Sequence, residues 1–229
     1  MKRTGTYFFC GCKPWNLDDF DMLVKEPECE WVFISTPVDL LEGLSTQNPR
    51  YIFFMHWNWI VPADIYDKYE CICFHMTDVP YGRGGSPLQN LIVAGKTETV
   101  ITALRMTGEV DAGPVYIKRP MSLEGRAEDI YRRAGAICLD MMREIVECIP
   151  VSVAQEGEVT LFKRRTPEQS IMPNNCTIAE LYDHIRMLDA PTYPHALIRQ
   201  GNFNYHVTNA QIEGEGIIAT VRITKIKED

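Results

Sequence analysis

The side chains best suited to chemistry lie in one stretch, His75-Met-Thr-Asp-Val-Pro-Tyr-Gly-Arg-Gly-Gly-Ser-Pro87. A histidine titrates near neutrality and can serve as acid, base or cation. His75 closes an apolar run, Cys71–His75, that reads as a buried strand. In open α/β sheets ligands sit outside the carboxyl ends of strands, which is where this histidine falls. Gly82, Gly84 and Gly85 permit positive φ and close approach of a ligand, although such a run is equally an ordinary loop. No strand–GxGxxG–helix arrangement surrounds them, so they form no dinucleotide fingerprint. The second candidate is Asp111, in Met106-Thr-Gly-Glu-Val-Asp-Ala-Gly-Pro114. Alone it reads as a turn residue. Beside a histidine, an aspartate fixes the tautomer and stabilises the cation.

These side chains need a framework. Thr6–Cys10, Trp31–Ser35, Tyr51–Trp57 and Cys71–His75 are continuous apolar runs, the pattern of strands buried on both faces of a parallel sheet. Helices are expected over Asp39–Leu44 and Pro62–Tyr69, the second with Pro62 at a first-turn position. Pro87–Ala94 reads as a helix stopped by Gly95. Thr99–Arg105 and Pro114–Pro120 read as a strand pair around the Met106–Gly113 loop. Ala127–Ile149 is the strongest helix, with Ile130, Ala134, Ile137, Met141, Ile145 and Cys148 at three- and four-residue intervals. After Pro150, Thr177-Ile-Ala-Glu180 has the form of a capping box. Phe203–Thr208 and Ile217–Ile226 read as closing strands around Glu213-Gly-Glu-Gly216. The expected fold class is α/β: a doubly wound, mostly parallel Rossmann-like sheet with a small C-terminal α+β extension. The domain expectation is a catalytic domain over 1–150 and an extension over 151–229.

Composition narrows the function. The chain has 229 residues, 45% of them hydrophobic, enough to bury a core. Lys and Arg number 23 against 31 Asp and Glu, a formal net charge of −8. That balance argues against a phosphate-backbone binder but leaves room for a small phosphorylated ligand. No stretch approaches the ~18 uncharged apolar residues of a membrane span. The Tyr7–Cys10 run is too short for a secretory signal, so a cytoplasmic location is expected. The 8 cysteines include the C-x-C pairs Cys10/Cys12 and Cys71/Cys73. They read as buried small hydrophobes, because the usual C-x₂₋₄-C zinc spacing is absent.

The order His75…Arg83-Gly-Gly-Ser-Pro87…Asp111-Ala-Gly-Pro114 resembles the folate-dependent formyltransferase family. The similarity is clearest over Tyr51–Gly135 and extends through Arg164-Arg-Thr-Pro-Glu168 and Leu181–Tyr193. Within the family it looks closest to the sugar N-formyltransferases, in particular the type of the pseudaminic acid pathway. The resemblance implies formyl transfer from N10-formyltetrahydrofolate, without a metal, to the amine of a nucleotide-linked amino sugar. The net charge of −8 counts against tRNA as the acceptor, so no nucleic-acid partner is expected, nor a membrane one, and a homodimer is allowed. The family's Asn-x-His pair and distant Asp fall on Cys73, His75 and Asp111. An oxyanion donor is therefore missing at Cys73, because a thiol donates weakly. Asn58, at the end of the preceding strand, is the candidate substitute. His75 would donate to the formyl oxygen or assist proton removal, with Asp111 stabilising its charged form. The pterin would lie against Trp59, Val61 and the backbone of Met106, Thr107, Gly108, Glu109 and Val110. Arg83, Gly84, Gly85, Ser86, Arg164 and Arg165 would meet the acceptor and its phosphates. The alternatives are a formyltetrahydrofolate hydrolase and a non-catalytic folate- or sugar-binding relative.

Overall fold

The structure is a computed structural model that describes residues 5–25 and 29–226. In chain order its elements are β1 (Thr6–Gly11), α1 (Asn16–Leu23), β2 (Glu30–Ile34), α2 (Pro37–Thr46), β3 (Tyr51–Met55), α3 (Ala63–Tyr66), β4 (Cys71–His75), β5 (Arg83–Gly84), α4 (Pro87–Val93), β6 (Glu98–Arg105), β7 (Val115–Ser122), α5 (Ala127–Cys148), β8 (Leu161–Phe162), α6 (Ile178–Arg186), β9 (Ala196–Gln200), β10 (Phe203–Glu213) and β11 (Gly216–Lys225). The chain divides into two compact units, one of residues 1–84, 99–121 and 132–161, the other of residues 85–98, 122–131 and 162–229.

The first unit is built on a mixed sheet of order β2-β1-β3-β4-β6-β7. β1 pairs parallel with β2 and β3, β3 pairs parallel with β4, and β4 pairs antiparallel with β6. The strand order reverses at β1, which lies between β2 and β3, and such a switch point opens a crevice at the carboxyl ends. The apolar runs are buried on both faces, as continuous hydrophobicity requires. One face carries Tyr7, Trp31, Phe53 and Phe74 in a chain of ring contacts, with Phe9 stacked on Phe33 beside them. The other carries Phe8, Cys10, Ile52, Phe54 and Cys71 beneath Leu40 and Ile65. Side chains alternate along a strand, so Cys71, Cys73 and His75 share this second face. α2 begins earlier than its periodicity suggested, because Thr36 and Asp39 close a capping box around Pro37.

The second unit holds the antiparallel sheet β11-β10-β9. α6 packs on β10 and opens with the expected capping box of Thr177 and Glu180. β10 runs five residues past the expected Thr208, to Glu213, because a bulge between Thr208 and Gln211 lets pairing resume. α1 and β9 were not expected from the sequence. α1 has no side-chain cap and carries acidic residues between its few apolar ones, and β9 is five residues with only Ala196 and Leu197 buried.

Candidate active site

His75 ends β4 with its side chain 9% exposed, and Asp111 stands beside it at 15%. His75 Nε2 lies 2.8 Å from the carbonyl oxygen of Gly82. A carbonyl only accepts, so Nε2 carries a hydrogen and donates it. Nδ1 then faces Asp111 Oδ2 at 3.4 Å. That same carboxylate oxygen accepts the backbone N–H of Gly84 at 2.9 Å. A proton on Nδ1 makes the ring a cation beside a carboxylate in a water-poor setting, where attraction between opposite charges is strengthened. The site can therefore hold or release one proton at Nδ1 while Nε2–H keeps the ring oriented.

The Asp111 loop is shaped by backbone conformation. Asp111 has φ 53°, in the left-handed region that an aspartate enters only when its surroundings hold it there. Gly113 is required as glycine, because a Cβ there would stand 1.8 Å from the carbonyl oxygen of Arg105. The loop base is closed by Arg105 N–H donating to Pro114 O at 2.9 Å.

Cys73 sits two residues before His75 on the same strand face and is half-buried. Burial, reinforced by the Asp111 carboxylate, pushes its thiol far above the ordinary cysteine range. It remains S–H, a weak donor, at neutral pH. Asn58 is exposed, and its backbone amide bonds the sulfur of Cys12 at the end of β1.

The loop after β3 and the loop before Asp111 meet on one apolar cluster. Val61 belongs to that cluster, and Trp57, Tyr66, Cys73 and Met106 pack against it. Trp57 meets Phe54 and Trp59 edge-on, with centroids 5.6 and 4.9 Å away. Beyond this ledge Trp59 is 43% exposed, Ile60 83% and Val110 59%. Large apolar side chains at the carboxyl ends of buried strands form the kind of wall on which a flat heterocycle lies. Among the described residues no group of three or more His, Cys, Asp or Glu could hold a metal ion.

The remaining expected residues fall in two places. Arg83 turns inward: its Nε and Nη2 donate to Gln155 Oε1 at 3.0 and 2.9 Å, and its Nη1 to Glu109 at 3.2 Å. Gly85, Ser86, Arg164 and Arg165 come together in the second unit. There a Cβ on Gly85 would stand 2.6 Å from the Cβ of Arg164, and Arg165 N–H donates to Ser86 Oγ at 3.1 Å.

Two groups near the site were not found from the sequence. Gln155 lies in a polar stretch without periodicity that gave no signal. The other is a buried network behind the Trp57–Val61 loop. His56, at φ 54°, accepts at Nδ1 from Trp15 Nε1 and Asn16 Nδ2, each at 3.3 Å, and its carbonyl accepts from the Cys12 thiol at 2.9 Å. Burial pushes His56 down to about 3, with Lys13 acting in the same direction. Asn16 also donates to Asp19 at 3.3 Å, and burial pushes the Asp19 carboxyl up to about 6.

A structure of methionyl-tRNA formyltransferase from Clostridium thermocellum superposes with a TM-score of 0.93, at 40% identity over 96% of this chain and 99% of that one. The chain belongs to the formyltransferase family. A model for the C-terminal domain of methionyl-tRNA formyltransferase matches residues 167–224. The methionyl-tRNA formyltransferase of Bacillus mycoides is 31% identical over 161 residues, 66% of this chain and 51% of that protein. HypX from Aquifex aeolicus, solved in complex with tetrahydrofolic acid, shares the fold at 18% identity and a TM-score of 0.73, over 92% of this chain and 38% of that one. The chain spans about half the length of the curated relatives it matches. The family uses N10-formyltetrahydrofolate as one-carbon donor.

These relatives correct the acceptor expected from the sequence. Those named methionyl-tRNA formyltransferases overturn the sugar N-formyltransferase assignment, the nucleotide-linked amino sugar and the exclusion of nucleic acid. The net charge misled because it averages the whole chain, whereas phosphate recognition depends on local surfaces. The run Lys163-Arg164-Arg165 is invisible in a sum of −8. No helix of the described residues is long and apolar enough to cross a membrane.

Proposed function

We propose that this formyltransferase moves the formyl group of N10-formyltetrahydrofolate to the α-amine of methionyl-tRNA. The observation that carries the chemistry is the His75–Asp111 pair, with the histidine buried, Nδ1 and Oδ2 3.4 Å apart and Nε2–H anchored on Gly82. The choice of acceptor rests on the names of its relatives. The bound folate supplies an activated formyl group whose carbonyl oxygen gains negative charge as an amine attacks. Trp59, Val61 and the Met106–Val110 backbone would hold the pterin, since both segments lie on one apolar cluster. With Nε2–H held by Gly82, His75 acts through Nδ1: it takes the proton that the amine sheds, or donates to that oxygen once Nδ1 is protonated, and Asp111 steadies the charged ring. Cys73, as a neutral thiol, offers only a weak donor, so the oxyanion depends on His75 and on Asn58.

The test combines the protein with N10-formyltetrahydrofolate and methionyl-tRNA. Formyl-methionine is followed by chromatography and tetrahydrofolate by absorbance, with formate release measured without acceptor. Formyl-methionine should form, and His75→Ala should lower its rate about 10²–10⁴-fold with folding intact. Folate turnover that yields only formate, or full activity in His75→Ala, would overturn the reading.

A further inference from the structure

The polar centre of the first unit contains a bracket that links three segments far apart in sequence. Gln155 Nε2 donates to two carbonyl oxygens, those of Asp111 and Gly113, each at 2.8 Å. Gln155 Oε1 accepts two bonds from Arg83. The orientation of the amide is settled by its partners. A guanidinium only donates, so it must face the amide oxygen, and backbone carbonyls only accept, so they must face the nitrogen. Just before it, Val153 is pinned to Val115 at the start of β7 by a pair of backbone bonds of 2.7 and 2.8 Å.

The bracket grips the one loop whose conformation the site depends on. Asp111 is held at φ 53°, with its carbonyl directed to Gln155 and its carboxylate to His75 and the Gly84 amide. Gln155 also takes the Gly113 carbonyl, so it fixes both ends of the Asp111-Ala-Gly113 turn. Arg83 holds the amide from behind and Glu109 from the same loop, at 3.2 Å. Nothing in this arrangement requires Gln155 to touch a substrate.

We propose that Gln155 is a positioning residue: oriented by Arg83, it clamps the Asp111 turn so that the carboxylate stands at Nδ1 of His75. The catalytic part of this inference rests on the proposed formyl transfer; the clamp itself does not. Two variants separate its halves. Gln155→Glu keeps the shape and the acceptor for Arg83 but sets a carboxylate oxygen against the two carbonyls. Gln155→Leu removes both halves.

Hydrogen exchange on the protein without folate tests the clamp. Peptides covering 106–113 and the Gly84 amide should exchange at least about tenfold faster in both variants, because the turn, with the Asp111 and Gly113 carbonyls released, opens more often and carries the Asp111 carboxylate off the Gly84 N–H. Turnover of N10-formyltetrahydrofolate tests the consequence. Turnover at saturating folate should fall about 10–100-fold, the scale of a displacement near 1 Å in a reacting group. In an Asp111→Asn background, either Gln155 substitution should cost less than about twofold, because its effect runs through the carboxylate. Unchanged exchange in Gln155→Glu, or equal losses in both backgrounds, would overturn the proposal. If the wild-type protein turns over no folate, the formyl-transfer reading fails while the exchange experiment still decides the clamp. If Gln155→Leu does not fold, Gln155→Glu gives both readouts.

Discussion

The network behind the Trp57–Val61 loop predicts an unusual response of stability to acid. Burial holds His56 neutral in the folded protein, down to about 3 against an ordinary 6.5. Below pH 6.5 the unfolded chain takes up a proton that the folded chain refuses, so this group removes stability as pH falls toward about 3. Asp19 acts oppositely. Its folded value is raised to about 6 from 3.8, so the folded chain takes up a proton first and gains stability as pH falls through that window. Between pH 7.5 and pH 5, linkage gives a loss of about 2 kcal/mol from His56 and a gain of about 1 kcal/mol from Asp19. The two largely cancel in the wild type. Asp19→Asn leaves the His56 loss uncompensated, so its stability should fall by about 1 kcal/mol more than the wild type over that interval. At pH 7.5 the same variant should be the more stable by about 1–3 kcal/mol, because a buried charge beside Gly135 and Asn16 is removed. His56→Asn, which tolerates the left-handed backbone, should reverse the slope and gain about 1 kcal/mol between pH 7.5 and pH 5. The assay is urea unfolding followed by tryptophan fluorescence at both pH values, with the m-value checked for constancy. Identical pH slopes in the wild type and both variants would refute the assignment of opposed buried groups.

Two predictions concern the reacting groups. Asp111→Asn removes charge at nearly constant shape, so turnover should fall about 10²-fold or more with folate affinity little changed; the outcome that counts against it is weakened binding with turnover at saturation intact. Cys73→Asn supplies a strong amide donor on the His75 face of β4 and should preserve or raise turnover, and Asn58→Ala should cost on the order of 10²-fold in the native background but much less once position 73 holds Asn. Equal Asn58→Ala losses in both backgrounds, read as saturating turnover, would show that the positions share no role.

Much of the frame was legible in the chain. A short, aromatic-rich apolar run such as Tyr51–Met55 reads as a strand buried on both faces, the pattern of a parallel centre. The capping box at Thr177–Glu180 and the long apolar face of α5 are local signals, written within a turn or two of the residues they organise. The pairing of His75 with Asp111 was readable because a family spacing links two loops that each end a strand. The acceptor named for its relatives was not, because a net charge of −8 carries no spatial information.

What tertiary structure alone decided is the set of contacts between segments with no mutual sequence pattern. Arg83 and Gln155 are 72 residues apart, and Gln155 and Asp111 are 44 apart. The sequence made Arg83 a candidate phosphate contact; in the folded chain its guanidinium donates to Gln155 and Glu109. His56 reads as one more residue of the Tyr51–Trp57 strand until Trp15 and Asn16 close on its ring. Amide and imidazole roles depend on which partners surround each atom in three dimensions, and desolvation depends on everything packed around a group. Neither quantity is local, so neither is written in the neighbouring residues.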